Sequence, residues 1–251
     1  MPIPNFTRHA IAGAAFTLAA GDRLVGIDLR PSNNTIYGVS LSNGIETLNP
    51  TTGAATFVMA LTGATVSPSL AYGFDFNPVA DYAGAASLRF VSSAGANLAI
   101  NVATGVAGNT ANTIASGYTS VAYSNSGPSA PASMALYCID SKNDTLSVAN
   151  TAFNTPTISL VGNLGVDVLN AGGFEIGADG QAWAALLTDG GSANSGIYSI
   201  NLGTGTATWV GAFNGTLTGL TTAPVPEPGS WALMAGGLLG WIGLTRRQTV
   251  R

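Results

Sequence analysis

The chain is poor in the residues from which most chemical sites are built. Its 251 residues include one cysteine and one histidine. Because Cys138 is alone, no intrachain disulfide can form, and a zinc site of the Cys/His type is excluded. A catalytic thiol or serine would have to recruit His9, which lies near the N-terminus. We interpret Cys138, within the strand-like run ALYCID, as a small core residue.

Charge is also scarce, at 8% of the residues, with a net charge of -4 and a pI near 4.6. Lys142 is the only lysine, and three of the seven arginines lie at the extreme C-terminus. Binding of nucleic acid requires a basic patch, so this partner is excluded. The glycines fall in hairpins rather than between a strand and a helix, so there is no phosphate loop, and we predict no cofactor.

What the chain does contain is a repeat. A strand–turn–strand pattern begins at Gly26 and returns at Gly73, Ser120 and Gly173. A second pair of strands follows each copy and carries a recurrent hairpin turn, Asn-x-x-Thr-Gly, at 49–53, 101–105 and 201–205. A spacing of about 50 residues with four strands per unit is typical of a propeller blade.

We therefore predict an all-β, β-propeller-like domain of four to five four-stranded blades over residues 24–222. The fragment before Gly26 and the strand starting at Gly219 could complete a fifth blade by pairing the two ends of the chain. A β-sandwich and an open barrel are the alternatives.

Three acids, Asp28, Asp75 and Glu175, occupy the same place in three repeats, each after a glycine and an apolar residue. One interpretation is a ring of carboxylates near a shared axis that could bind a cation such as Ca²⁺. The other is structural, with each acid accepting backbone N–H bonds and fixing the register of its blade. Recurrence in the repeats favours the structural role, so we assign no metal site and no catalytic residue.

The C-terminal tail differs from the body. Residues 231–244 carry no charge, and an upstream helix would be broken by Pro226 and Pro228. We predict a short transmembrane helix over 230–245. Such a helix is about 24 Å long, against a hydrocarbon core of about 30 Å. The proposed membrane anchor consists of Trp231, Leu233, Leu238, Leu239, Trp241 and Leu244, followed by a basic stop at Arg246 and Arg247. A buried C-terminal helix is the alternative.

Val225, Pro226, Glu227 and Pro228, then the apolar run, then Arg246 and Arg247 together resemble the PEP-CTERM protein-sorting signal of Gram-negative bacteria. This resemblance implies recognition by an exosortase, a membrane-embedded transpeptidase-like enzyme, with cleavage near the Pro-Glu-Pro motif. It also implies a setting of exopolysaccharide production and cell-surface or biofilm matrix. The positive flank places the C-terminus in the cytoplasm and the body on the periplasmic or extracellular side. We expect the anchor to be transient or permanent, depending on cleavage.

Export also requires a signal peptide, and residues 1–23 match one poorly. We interpret them either as a weak signal-like stretch or, preferably, as an incomplete first blade. The tail comprises residues 223–251.

The phrases VGIDLRP, IYGVS, LNPTTGAAT, GFDFNP, ALYCID and LGVD resemble a bacterial exported family known as domain of unknown function 4394. The resemblance covers most of the chain and implies a propeller-like fold without an assigned activity. The sequence departs from the family pattern by an Ala/Gly-rich insertion at 80–87.

These features predict an exported, non-enzymatic binding or scaffold protein, with polysaccharide as a partner suggested by context. The alternative is a secreted carbohydrate-active lyase or hydrolase that uses carboxylates on a propeller scaffold.

Overall fold

The computed structural model describes residues 15–188 and 194–222. Sixteen strands form four antiparallel sheets of four strands, each built from consecutive strands of the chain. The first sheet contains β1 (Leu24–Arg30), β2 (Thr35–Ser40), β3 (Gly44–Asn49) and β4 (Ala54–Ala60). The second contains β5 (Tyr72–Phe76), β6 (Ser87–Ser92), β7 (Asn97–Asn101) and β8 (Val106–Gly108).

The third sheet contains β9 (Tyr118–Tyr123), β10 (Leu136–Asp140), β11 (Thr145–Ala149) and β12 (Ser159–Asn163). The fourth contains β13 (Val168–Ile176), β14 (Ala182–Thr188), β15 (Gly196–Ile200) and β16 (Ala207–Ala212). The first strands of the four sheets, β1, β5, β9 and β13, contact one another around a common centre. The predicted β-propeller is confirmed, with four blades.

The predicted hairpin turns connect the third and fourth strands of three blades. Asn49 Oδ1 accepts the N–H groups of Thr51 and Thr52, and Asn101 and Asn201 make the same pair of bonds in their own turns. The turn glycine adopts a positive φ, as at Gly53 (71°). The asparagine therefore contributes an acceptor, and only the glycine contributes the left-handed conformation.

The insertion at 80–87 includes the second half of a helix that the sequence did not reveal. Helix α1 (Pro78–Tyr82) starts after Asn77, whose side chain accepts the N–H of Ala80, and Pro78 stands at its first turn. Asp81 on this helix accepts Arg30 Nε at 2.6 Å and the N–H of Ser32 at 3.0 Å. The helix thereby attaches the second blade to the turn that follows β1.

The hydrophobic core lies between the blades. One cluster joins the first and second blades and includes Val39, Ile45, Phe74 and Phe90. Two further clusters join the second blade to the third and the third to the fourth. A smaller cluster lies on the face of the first blade that is directed away from the second blade. There Phe16 and Leu18 pack beside Leu24 and Leu48.

Close backbone approach sets the spacing of the inner strands. A Cβ added at Gly73 would lie 2.7 Å from Ser120 Cα, and one at Gly26 would lie 2.5 Å from the Phe74 ring. Each glycine therefore packs against the start of the next inner strand, where no side chain would fit.

The C-terminal segment 217–222, here called the closing segment, fills the place between β13 and β1. A Cβ at Gly173 would collide with Leu220, and one at Gly219 would lie 2.9 Å from Ile27 N. Gly219, Leu220 and Thr221 thus repeat the Gly–apolar–polar triplet of the first, second and fourth blades. The closing segment is not a strand of any sheet, so within the described residues the predicted fifth blade is not formed.

The other end of the described chain lies on the first blade. Thr17 donates its N–H to Gly53 O at 2.9 Å and forms a parallel bridge with Ala54. Thr62, after β4, makes the same contact with Gly105 and Val106 of the second blade. Residues 15–18 therefore contact the first blade in the same way as the connection after β4 contacts the second.

Candidate functional site

Three carboxyl groups meet at the centre of the propeller. Asp28 on β1, Asp75 on β5 and Glu175 on β13 are 3%, 1% and 5% exposed. One oxygen from each lies within 4.8 Å of the others. The three repeated acids thus converge near a shared axis, which is the geometry that the sequence offered as one of two interpretations.

The hydrogen bonds of these acids also agree with the structural interpretation, in which each acid accepts backbone N–H bonds and fixes the register of the blades. Asp28 Oδ2 accepts the N–H of Phe76 at 2.7 Å, and Asp75 Oδ2 accepts the N–H of Tyr123 at 2.6 Å. In both cases the donor belongs to the inner strand of the next blade. A hydrogen bond of this kind is directional, so each acid fixes its neighbour's register. The bonds run between inner strands rather than within turns.

Two of the inner segments carry no acid at the position equivalent to Asp28, Asp75 and Glu175. In the third blade it is Ala122, and in the closing segment it is Thr221. The hydroxyl of Thr221 accepts the N–H of Leu29 at 3.0 Å and donates to Asp28 Oδ1 at 3.0 Å. Thr221 therefore makes, at the last junction, the register bond that carboxylates make at the first two.

The environment of the cluster favours protonated acids. Burial raises the pKa of Asp28 to about 6, although bonds to Phe76 and to Glu175 oppose this rise. Burial also raises the pKa of Asp75 and of Glu175 well above the usual range, and repulsion from Asp28 adds to both shifts. Both groups are hydrogen-bonded to Asp28, so they share protons with it.

The cluster offers two kinds of chemistry. Three oxygens at this separation could surround one cation, which would replace the shared protons. As protonated acids, the same groups stabilise the ring by hydrogen bonds alone. Backbone N–H groups already occupy both oxygens of Asp28 and one oxygen of Asp75, which leaves a cation fewer free ligand atoms.

The second blade also contains a buried arginine that the sequence did not mark as part of a site. Arg89 is 3% exposed and lies opposite Asp75 in the pairing of β6 with β5. Its guanidinium donates to Tyr123 Oη, Asn97 Oδ1, Leu98 O and Asn154 Oδ1 rather than to the carboxyl cluster. These acceptors come from different blades, so only the folded chain brings them together.

Aromatic side chains that could stack on a sugar differ in exposure. Tyr118, Tyr123 and Tyr198 are buried among the blades. Trp209, on the outermost strand β16, is 61% exposed, and Val210 beside it is 46% exposed. Cys138 is buried, and burial raises the pKa of its thiol to about 12, in keeping with a core residue.

The predicted tail residues, namely the sorting motif at 225–228, the helix over 230–245 and the basic stop, lie outside the described residues. Within 15–188 and 194–222, no helix combines the length and the apolar character that crossing a membrane requires.

The fold and the central site define a four-bladed β-propeller with three buried acids clustered at its axis. The model of the family described as a domain of unknown function (DUF4394) matches residues 6–221, and the chain belongs to this family. The model of the PEP-CTERM protein-sorting motif matches residues 224–247, immediately after the closing segment. The motif marks an exported protein and implies processing by an exosortase-type enzyme. No curated protein matches the chain.

Several solved structures resemble the fold at low identity. A calcium-binding protein, regucalcin, from Agrobacterium tumefaciens has 11% identity and a TM-score of 0.42, with 89% of this chain and 92% of that chain covered. The extracellular domain of a putative hybrid two-component system from B. thetaiotaomicron has 11% identity and a TM-score of 0.43, with 87% and 24% covered. U3-55K has 8% identity and a TM-score of 0.44, with 80% and 70% covered. The calcium binding named for the first is a property of that protein.

Proposed function

We propose that the chain is a non-enzymatic binding or scaffold protein, tethered by its sorting tail with the propeller outside the cytoplasm. The observation that supports this role is the use of the three central acids. They are at most 5% exposed and bonded to backbone N–H groups or to one another. A glycosidase needs two carboxyl groups that face a sugar across an open cleft.

The space beside the axis is also small. A recess lined by Gly26, Ser120, Gly173 and Gly219 has a cavity volume of about 10 Å³, which is room for about one water molecule. Ligand pockets typically measure about 300–1,000 Å³. A polysaccharide chain would therefore bind on the outer surface, where Trp209 offers a flat apolar ring for stacking.

One assay separates the scaffold from the lyase or hydrolase. The purified protein is incubated with matrix exopolysaccharide, and both chain length and the amount of bound protein are measured. We expect retention of the protein on the polysaccharide without shortening of the chains. Shortening that is lost in Asp75→Asn but kept in Asp179→Asn, on an exposed turn, would instead establish the enzyme.

The binding surface is tested by a matched pair of variants. Trp209→Ala removes the exposed ring, whereas Leu160→Ala removes an equally exposed apolar side chain from another outer strand. We expect Trp209→Ala to reduce retention about tenfold, as loss of about 1.4 kcal/mol of stacking would, and Leu160→Ala to leave it unchanged. Equal retention of both variants would contradict this surface.

A further inference from the structure

The two ends of the propeller axis differ, and the sorting tail leaves from one of them. Thr221 lies level with Asp28, and a Cβ at Gly177 would lie 3.6 Å from Thr222 Oγ1. Gly177 begins the turn after β13, so the chain exits beside the turns that follow the inner strands. We call this end the exit face, formed by residues 31–34, 77–86, 124–135 and 177–181.

The exit face is a connected surface. The hydroxyl of Tyr82 donates to Pro31 O and to Gly127 O, both at 2.9 Å. A Cβ at Gly127 would lie 3.8 Å from Ala178 Cβ. These contacts link the turns of the four blades into one continuous surface around the point where the described chain ends.

The two ends of the propeller axis differ in the number of charged residues they carry. On the described part of the exit face, the charged groups are the Arg30–Asp81 ion pair at its edge and Asp179. The opposite end is formed by the turns between second and third strands and by the connections between blades. It carries four acids and two bases: Asp22, Asp140, Asp144, Asp167, Arg23 and Lys142. The described exit face therefore carries two acids and a net charge of −1, against four acids and a net charge of −2 on the side away from the tail.

The distance from the exit face to a membrane is short. Eight residues, 223–230, separate Thr222 from the apolar run, and two of them are the prolines of the sorting motif. In an extended or polyproline conformation they span about 25 Å. The headgroup layer itself occupies about 5–8 Å on each side of the hydrocarbon core, so a fully extended linker holds the exit face within about 20 Å of the headgroups.

We propose that the exit face is the surface that rests on the lipid bilayer when the full chain is anchored, with the acidic end directed away. This orientation depends on the proposed tethering by the tail. An anionic lipid surface repels exposed carboxylates within about 10 Å, and the exit face presents few of them. The neutral serine- and proline-containing loop at 124–135 would then contact the headgroups.

The chain permits a direct test, because Cys138 is buried and its thiol will not react with a label. Ser129→Cys introduces a label site on the exit face and Ser116→Cys one on the opposite end, and both serines are exposed. Each full-length variant is labelled with a fluorophore and reconstituted into vesicles that contain lipids spin-labelled at the headgroup. Flotation first shows whether the protein is bound to the vesicles.

We expect at least threefold stronger quenching at position 129 than at position 116. Equal quenching, or stronger quenching at 116, in protein that floats with the vesicles would overturn the orientation and leave the tethering intact. Protein that does not float would overturn the tethering itself, and the orientation with it.

Discussion

At the scale of single residues, the central ring shows how one position can serve a fold with different side chains. Asp28, Asp75 and Thr221 all accept an N–H from the next inner segment, although two are carboxyls and one is a hydroxyl. Ala122 cannot accept a bond, and at its place the ring carries no negative charge. Burying three carboxyls together costs free energy unless protons or a cation neutralise them.

This cost makes stability depend on pH in an unusual direction. The folded-state pKa of each acid is raised, so the native state binds more protons than the unfolded chain once the pH exceeds about 4. The free energy of unfolding must then fall as the pH rises through about 6 and beyond. Many proteins show the reverse trend, because their acids are stabilised in the ionised form.

We therefore expect the urea midpoint, measured in chelator, to decrease between pH 4 and pH 7. Asp75→Asn removes one titrating group while keeping an oxygen for Tyr123, so it should flatten this slope. Asp179→Asn, on an exposed turn, should leave the slope of the wild-type chain in place. A midpoint that rises over this interval would contradict the assignment of protonated acids.

At the scale of elements, the sequence predicted most where a local pattern determines the outcome. The repeat starts at Gly26, Gly73, Ser120 and Gly173 all lie in inner strands, and the Asn-x-x-Thr-Gly turns form as hairpins, because turn chemistry acts over five residues. Helix α1 was missed because five residues, PVADY, give no helical period. The network around Arg89 was missed because its acceptors are distant in sequence.

The inner strands depend on glycine for their close approach, and a methyl group tests this. Gly73→Ala would place a Cβ 2.7 Å from Ser120 Cα, whereas a Cβ at Gly211 on β16 meets nothing within 4 Å. Neither glycine has a positive φ, so only the steric contact differs. We expect Gly73→Ala to lower the free energy of unfolding by about 1–3 kcal/mol.

Gly211→Ala should change it by less than about 0.5 kcal/mol, as for other surface substitutions. Chemical denaturation of both variants under the same conditions makes the comparison. If the two alanines were equally tolerated, the glycines of the inner strands would not set the spacing of the blades.

At the scale of the whole molecule, the ring is closed, within residues 15–188 and 194–222, without a sheet shared between the first and last described segments. Three junctions between neighbouring blades are filled by hydrophobic clusters, whereas the junction of the fourth blade with the first is occupied by the closing segment. The sequence suggested that the fragment before Gly26 and the strand from Gly219 could pair in a fifth blade, but it did not indicate that a single threonine would complete the ring. That outcome depends on the position of Thr221 beside Asp28, 193 residues away in the chain.

The closing segment also joins the fold to the sorting motif, so its bonds bear any force that the anchored tail exerts on the domain. Thr221→Val keeps the shape of the side chain but removes the donor to Asp28 and one of the two acceptors of the Leu29 N–H, which also donates to Asp28 Oδ1. We expect it to lower the free energy of unfolding by about 1–3 kcal/mol. Amide hydrogen exchange at Leu29 should accelerate because opening then starts at this junction. Thr222→Val, one residue nearer to the tail, serves as the matched control and should change neither quantity appreciably. Equal effects of the two valines would show that the ring is closed by packing of the closing segment rather than by the hydroxyl of Thr221.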